Sequence, residues 1–177
     1  GMKRSRALRP LSSEHHQALL VAFKVRKALA GHAEAAGAPR DLPGLVQLVR
    51  RFDEQLLTPH TKAEEDRLGA YLSEGHMARM REEHLELCRL ALAARTAQGD
   101  DARSHLAAFA DLLERHVRWE ERELFAYAED HVDPATLDGI GGEFWLTTFV
   151  MVAFYFPVPD RFRWDFFRFL LLVPAAG

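Results

Sequence analysis

An all-α fold, an antiparallel up-down-up-down four-helix bundle, is what this sequence predicts, and three observations carry it. Apolar residues recur every three or four positions along four stretches, as on the buried stripe of a helix. Glycine, proline, serine and aspartate punctuate the chain between those stretches, at 31–42, 73–75 and 99–101. One pattern, histidine, three residues, two glutamates, two residues and leucine, occurs twice, as His60 to Leu68 and as His116 to Leu124. No period-two alternation and no glycine-rich phosphate loop competes with this reading.

The first helix is predicted from Ser12 to Ala30, with a Ser-Ser start, Glu14 in its first turn and Gly31 as its stop. Leu11, His15, Ala18, Leu19, Ala22, Val25 and Leu29 share one face. His15 therefore points into an apolar stripe, whereas His16 lies about 100° round. His15 is the preferred inward histidine, and His16 is its alternative.

The second helix is predicted from Pro43 to Leu72, carrying Leu45, Leu48, Phe52, Leu56, His60, Glu64 and Leu68 on its inner side. Pro59 is expected to bend it, because a mid-helix proline removes a backbone donor. The third runs from His76 to Ala97 with Met77, Met80, His84, Leu87, Cys88 and Ala91 inward. The fourth runs from Ala102 to Glu129 with Phe109, Leu112, Leu113, His116, Glu120, Leu124 and Tyr127 inward. These helices define an expected bundle unit at 11–132.

Residues 143–177 differ in composition: they hold most of the chain's aromatic side chains and no lysine or histidine. They read as a hydrophobic C-terminal extension. The apolar run from Phe144 to Phe156 is shorter than the roughly 20 residues that span a bilayer. Beyond it, Phe162, Phe166, Phe169 and Leu170 oppose Arg161, Asp165 and Arg168, as in an amphipathic helix that buries its aromatics elsewhere. The expected cover is the bundle itself or a dimer mate, ahead of a membrane surface.

At 177 residues the chain suits one main domain. A net charge of -3 gives nucleic acid no basic footprint. The lone Cys88 excludes an internal disulfide framework. The N-terminus is basic but lacks the apolar core of a signal peptide, and Gly1 ahead of Met2 reads as a residue left by tag removal. A cytoplasmic protein is expected.

The chemistry lies in the repeated pattern. On a helix, positions i and i+4 stack about 6 Å apart, so each copy aims an imidazole and a carboxylate the same way. Each copy follows another histidine that is preceded by glutamate, in Glu14-His15-His16 and in Glu83-His84. His15, His60, Glu64, His84, His116 and Glu120 are the candidate metal ligands. Together they exceed what a four-ligand zinc site takes and suit two metals. With Glu64 and Glu120 bridging and the histidines terminal, the protein fills about eight of roughly twelve octahedral positions. A bridging oxygen fills about two more, which leaves roughly one open position per metal. Imidazole with carboxylate suits iron or manganese, with zinc as another occupant. Glu65 and Glu121 lie one residue past the stack and read as solvated groups or partners that orient a ligand imidazole. Glu14 and Glu83 carry the same two readings. His32, His76, His105 and His131 are left outside the site, and Trp119, Tyr71 and Tyr127 are given no chemistry.

At these residues the sequence resembles the hemerythrin-like, or HHE cation-binding, family, over about residues 11–130. The resemblance implies a four-helix bundle around a non-heme di-iron centre of Fe–O–Fe type. It also implies binding or sensing of dioxygen, nitric oxide or iron, or chemistry on nitric oxide or peroxide. One position departs from the pattern. Oxygen-carrying hemerythrins place a second histidine four residues after the one on the third helix, where this chain has Cys88. The set thus resembles the four-histidine, two-glutamate variant associated with sensors and with repair or redox proteins. Three functions are expected from it: a di-iron protein that binds or senses a small ligand, a redox enzyme that consumes peroxide or nitric oxide, and a structural zinc-binding interaction module. Whether the chain is an enzyme stays open among them.

Overall fold

A computed structural model describes residues 7–142, which are helical with no strand among them. The helices are α1 (Arg9–Leu29), α2 (Leu42–Phe52), α3 (Thr58–Arg67), α4 (Glu74–Thr96), α5 (Gly99–Trp119) and α6 (Phe125–His131). A five-residue π-turn, Asp53–Leu57, joins α2 to α3, and a second, Glu120–Leu124, joins α5 to α6. Four long helical runs result, followed by a further helical stretch at 134–142. They form a helical bundle in which α5 packs along both α1 and α4 while α2 touches α1, α4 and α5. No helix among the described residues is long and apolar enough to cross a membrane. The aromatic extension at 143–177, and the helix and dimer or membrane contacts expected of it, lie outside the described residues.

Local chemistry sets the boundaries. The first helix begins at Arg9 rather than Ser12, because Pro10 fits the first turn, where its missing N–H costs nothing. Its end is a Schellman turn: Gly31 takes φ +83°, and the His32 N–H reaches the Lys27 carbonyl at 2.8 Å. Asp41 caps α2 by accepting from the Gly44 N–H at 2.6 Å, and Ser73 caps α4 by accepting from the His76 N–H at 3.2 Å.

The perturbation expected at Pro59 lies just ahead of it, as the first π-turn. There the Thr58 N–H reaches back five residues to the Asp53 carbonyl. This wide turn inserts one residue and re-phases the helix. The buried apolar positions are Leu45, Val49 and Phe52 ahead of the turn and Leu57 at its end, while Leu48 and Leu56 are only partly buried.

The buried apolar residues form two clusters. One contains Ala18, Leu57, Leu87 and Leu113; the other contains Leu11, Leu68, Met80 and Trp119. On each helical run a histidine stands at the seam: His15 between Leu11 and Ala18, His60 between Leu57 and Leu68, His84 between Met80 and Leu87, His116 between Leu113 and Trp119. Two apolar plugs thus enclose a single polar layer, and that placement is what makes a site.

Candidate metal centre

The seam gathers all six predicted residues. His15, His60, His84 and His116 are buried, and Glu64 and Glu120 have no exposure at all. His15 Nε2 lies 3.2 Å from His60 Nε2 and 3.1 Å from Glu120 Oε2. His60 Nε2 lies 3.3 Å from Glu64 Oε1, and His84 Nε2 lies 3.5 Å from Glu64 Oε2. His116 Nε2 lies 3.2 Å from Glu120 Oε1. Two groups of potential ligand atoms follow, each within 4.8 Å: His15, His60, Glu64 and Glu120, and Glu64, His84, His116 and Glu120. The two carboxylates belong to both.

Behind every imidazole stands a carboxylate on a different helical run. Glu14 pairs with Nδ1 of His60 at 2.5 Å, and Glu65 with Nδ1 of His84 at 2.9 Å. Glu83 pairs with Nδ1 of His116 and Glu121 with Nδ1 of His15, both at 2.8 Å. With Nδ1–H donated outward, each Nε2 is held toward the centre, where its lone pair becomes available to a metal once the imidazole is neutral. Phe125, stacked on the His15 ring at 5.3 Å and 7°, fixes that imidazole further.

The inward atoms are the unusual ones. Both oxygens of Glu64, both of Glu120, and Nε2 of His84 and of His116 are buried without a hydrogen-bond partner. Such groups cost several kcal/mol when nothing compensates them, roughly 1–3 each even for uncharged ones. A divalent cation would compensate them all, so the donor set fits a metal ion. Without one, protons do part of the work. Burial opposes charging of the imidazoles, yet the Glu64 charge and the hydrogen bond that His60 donates to Glu14 push His60 up to about 9. Against the same burial, the nearby Glu120 and Glu64 carboxylates push His84 up to about 10. Burial and mutual repulsion work against the charge on Glu64, but the surrounding imidazoles hold its carboxyl below the ordinary range.

A cavity adjoins one side of the cluster. It touches His15, His60, His116 and Glu120 and is walled by Ala18, Phe52, Leu56, Leu57, Leu113 and Val117. Nearly all of that wall is aliphatic, which suits a small, weakly polar guest.

Of the two histidines left open on α1, His15 enters the layer and His16 faces solvent. Cys88 stays out: half-buried, it interacts with Asp53 and Thr58, and burial together with the Asp53 charge pushes its thiol up. Sequence spacing could not pair the outer carboxylates with their imidazoles, since all four contacts cross between helical runs. It also missed Phe125, which the second π-turn brings against His15.

Comparison with known proteins agrees with this geometry. The family model described as the hemerythrin HHE cation binding domain matches residues 8–132. No curated protein and no solved structure matches the chain. The match takes in every residue of the buried layer and most of the chain, and the protein belongs to the hemerythrin HHE cation-binding domain family.

Proposed function

We propose that this is a non-heme di-iron protein of hemerythrin type that binds or senses a small diatomic ligand, dioxygen or nitric oxide, within an antiparallel up-down-up-down bundle. The observation that carries the reading is the pair of overlapping ligand groups sharing Glu64 and Glu120. In it, His15 and His60 would hold one ion and His84 and His116 the other, with Glu64 and Glu120 available to both. Iron is preferred to manganese or zinc on the imidazole and carboxylate donors and on the family membership.

Bound iron would supply the open coordination positions and the redox change. The chain supplies the rest. Glu14, Glu65, Glu83 and Glu121 orient the imidazoles, and the two apolar clusters exclude bulk water. The cavity beside His15, His60 and His116 sets apolar side chains next to the cluster.

Consumption of peroxide or nitric oxide at the same site is the second reading, favoured by one observation. Cys88 does not join the cluster, so the position that holds a fifth histidine in oxygen carriers adds no protein ligand here. The test is to load the protein with iron, reduce it without air and add nitric oxide or dioxygen. A reversible absorption change supports binding or sensing; turnover with an added reductant supports the enzyme. Colourless zinc protein with unaltered stability toward either gas supports neither and leaves a structural metal.

A further inference from the structure

An unbroken file of rings leads from the buried layer to the surface. The His116 and Trp119 ring centroids are 6.1 Å apart, Trp119 and His76 are 6.2 Å apart, and His76 and Tyr127 are 4.5 Å apart. Tyr127 in turn stacks on His131 at 4.0 Å and 12°. Burial falls along the file: His116 and Trp119 are 2% and 4% exposed, His76 and Tyr127 are half-buried, and His131 is exposed. We propose that Trp119, His76 and Tyr127 form a route for single electrons between the metal layer and a redox partner at the surface around Tyr127 and His131. This rests on the redox-active metal centre proposed above.

Regular helical phase does not give the alignment. Trp119 and Tyr127 are eight residues apart, which on an uninterrupted α-helix leaves them about 80° out of phase. The π-turn at Glu120–Leu124 takes up one residue and brings them to within about 20° of one face. Ser73, which caps α4, holds the intervening ring through a 2.7 Å contact with His76 Nδ1. Another aromatic neighbour of a ligand imidazole, Phe125 on His15, is fully buried and has no readily oxidised ring. The cavity side offers mainly aliphatic side chains.

The chemistry balances as follows. Excess peroxide would break its O–O bond beside the already oxidised iron pair, leaving as water with two electrons, one from the iron and one drawn from Tyr127 through His76 and Trp119 to His116. Half-exposed Tyr127 loses its phenolic proton to water and becomes a neutral radical. An external one-electron donor, such as a reduced flavin, returns the electron while water returns the proton. The Arg79 guanidinium lies 4.2 Å over the Trp119 ring, and a cation there disfavours positive charge resting on the indole. The hole therefore passes Trp119 and settles on Tyr127.

The test is rapid freeze-quench electron paramagnetic resonance on the full, iron-loaded chain mixed with excess hydrogen peroxide. Wild type is expected to show a tyrosyl radical, Tyr127→Phe to lose it, and Trp119→Phe, at unchanged iron content, to lower its yield. His76→Leu, nearer the surface, is a second variant with the same expected loss. A radical that persists in Tyr127→Phe, an unchanged yield in both Trp119→Phe and His76→Leu, or no radical in iron-loaded wild type overturns the route and leaves the metal centre standing. A chain that takes up no iron sinks both.

Discussion

Nδ1 of His15, on the first helix, lies 2.8 Å from a carboxylate oxygen of Glu121, 106 residues later, and this contact closes a ring. Glu14 of α1 holds His60 of α3, Glu65 of α3 holds His84 of α4, Glu83 of α4 holds His116 of α5, and Glu121 returns to α1. Each helical run thus gives one imidazole to the centre and one carboxylate to the next run's imidazole.

Breaking that ring should loosen the metal without unfolding the bundle. Glu121→Gln keeps the shape and removes the charge behind His15, and loss of such an outer partner typically weakens metal binding about 10–100-fold. Competition against a chelator measures it. Affinity equal to wild type in Glu121→Gln and in Glu83→Gln would show that the outer contacts do not orient the ligands.

The pH dependence of the metal-free and loaded forms should run in opposite directions. His60 and His84 in the metal-free fold are raised to about 9 and about 10, above their unfolded value of about 6.5. The stability they contribute is therefore complete below about 6.5 and is lost as pH climbs through about 9 to 10. Metal requires neutral imidazoles, so its affinity rises over the same interval and binding near neutrality releases protons. Calorimetry in buffers of differing ionisation enthalpy reads that release. A binding enthalpy independent of buffer would contradict it.

The cavity makes a prediction about access. Ala18 is buried on its wall, and Ala18→Leu adds bulk there at a cost of about 1–3 kcal/mol in stability. Nitric oxide should then associate more slowly with the iron-loaded variant, followed by stopped-flow absorbance, while metal content holds. Unchanged association would place the entry path elsewhere.

Gly141 makes a prediction about the fold. A Cβ at this position would collide with the Ala7 backbone, so the stretch at 134–142 meets the residues just ahead of α1 through bare backbone. Gly141→Ala should lower thermal stability by about 1–3 kcal/mol, as overpacking does, and leave metal affinity intact. A neutral effect would mean that this contact gives way easily.

Much of this was legible in the sequence because the ligands are helical and local. Spacing placed His60 with Glu64 and His116 with Glu120, and the apolar stripe of α1 favoured His15 over His16, which proves to face solvent. The π-turns were not legible, since inserting one residue depends on packing and not on local propensity. They moved the buried position from Leu56 to Leu57 and carried Tyr127 from the face of His116 to that of Trp119. The carboxylate ring was hidden for a different reason: every one of its contacts is non-local.

Anomalous diffraction at the iron edge, from crystals of the iron-loaded protein, tests the proposed centre most directly. Two peaks in the seam are expected, one beside His15 and His60 and one beside His84 and His116, with Glu64 and Glu120 touching both. A single peak, or iron bound anywhere other than that layer, would contradict it.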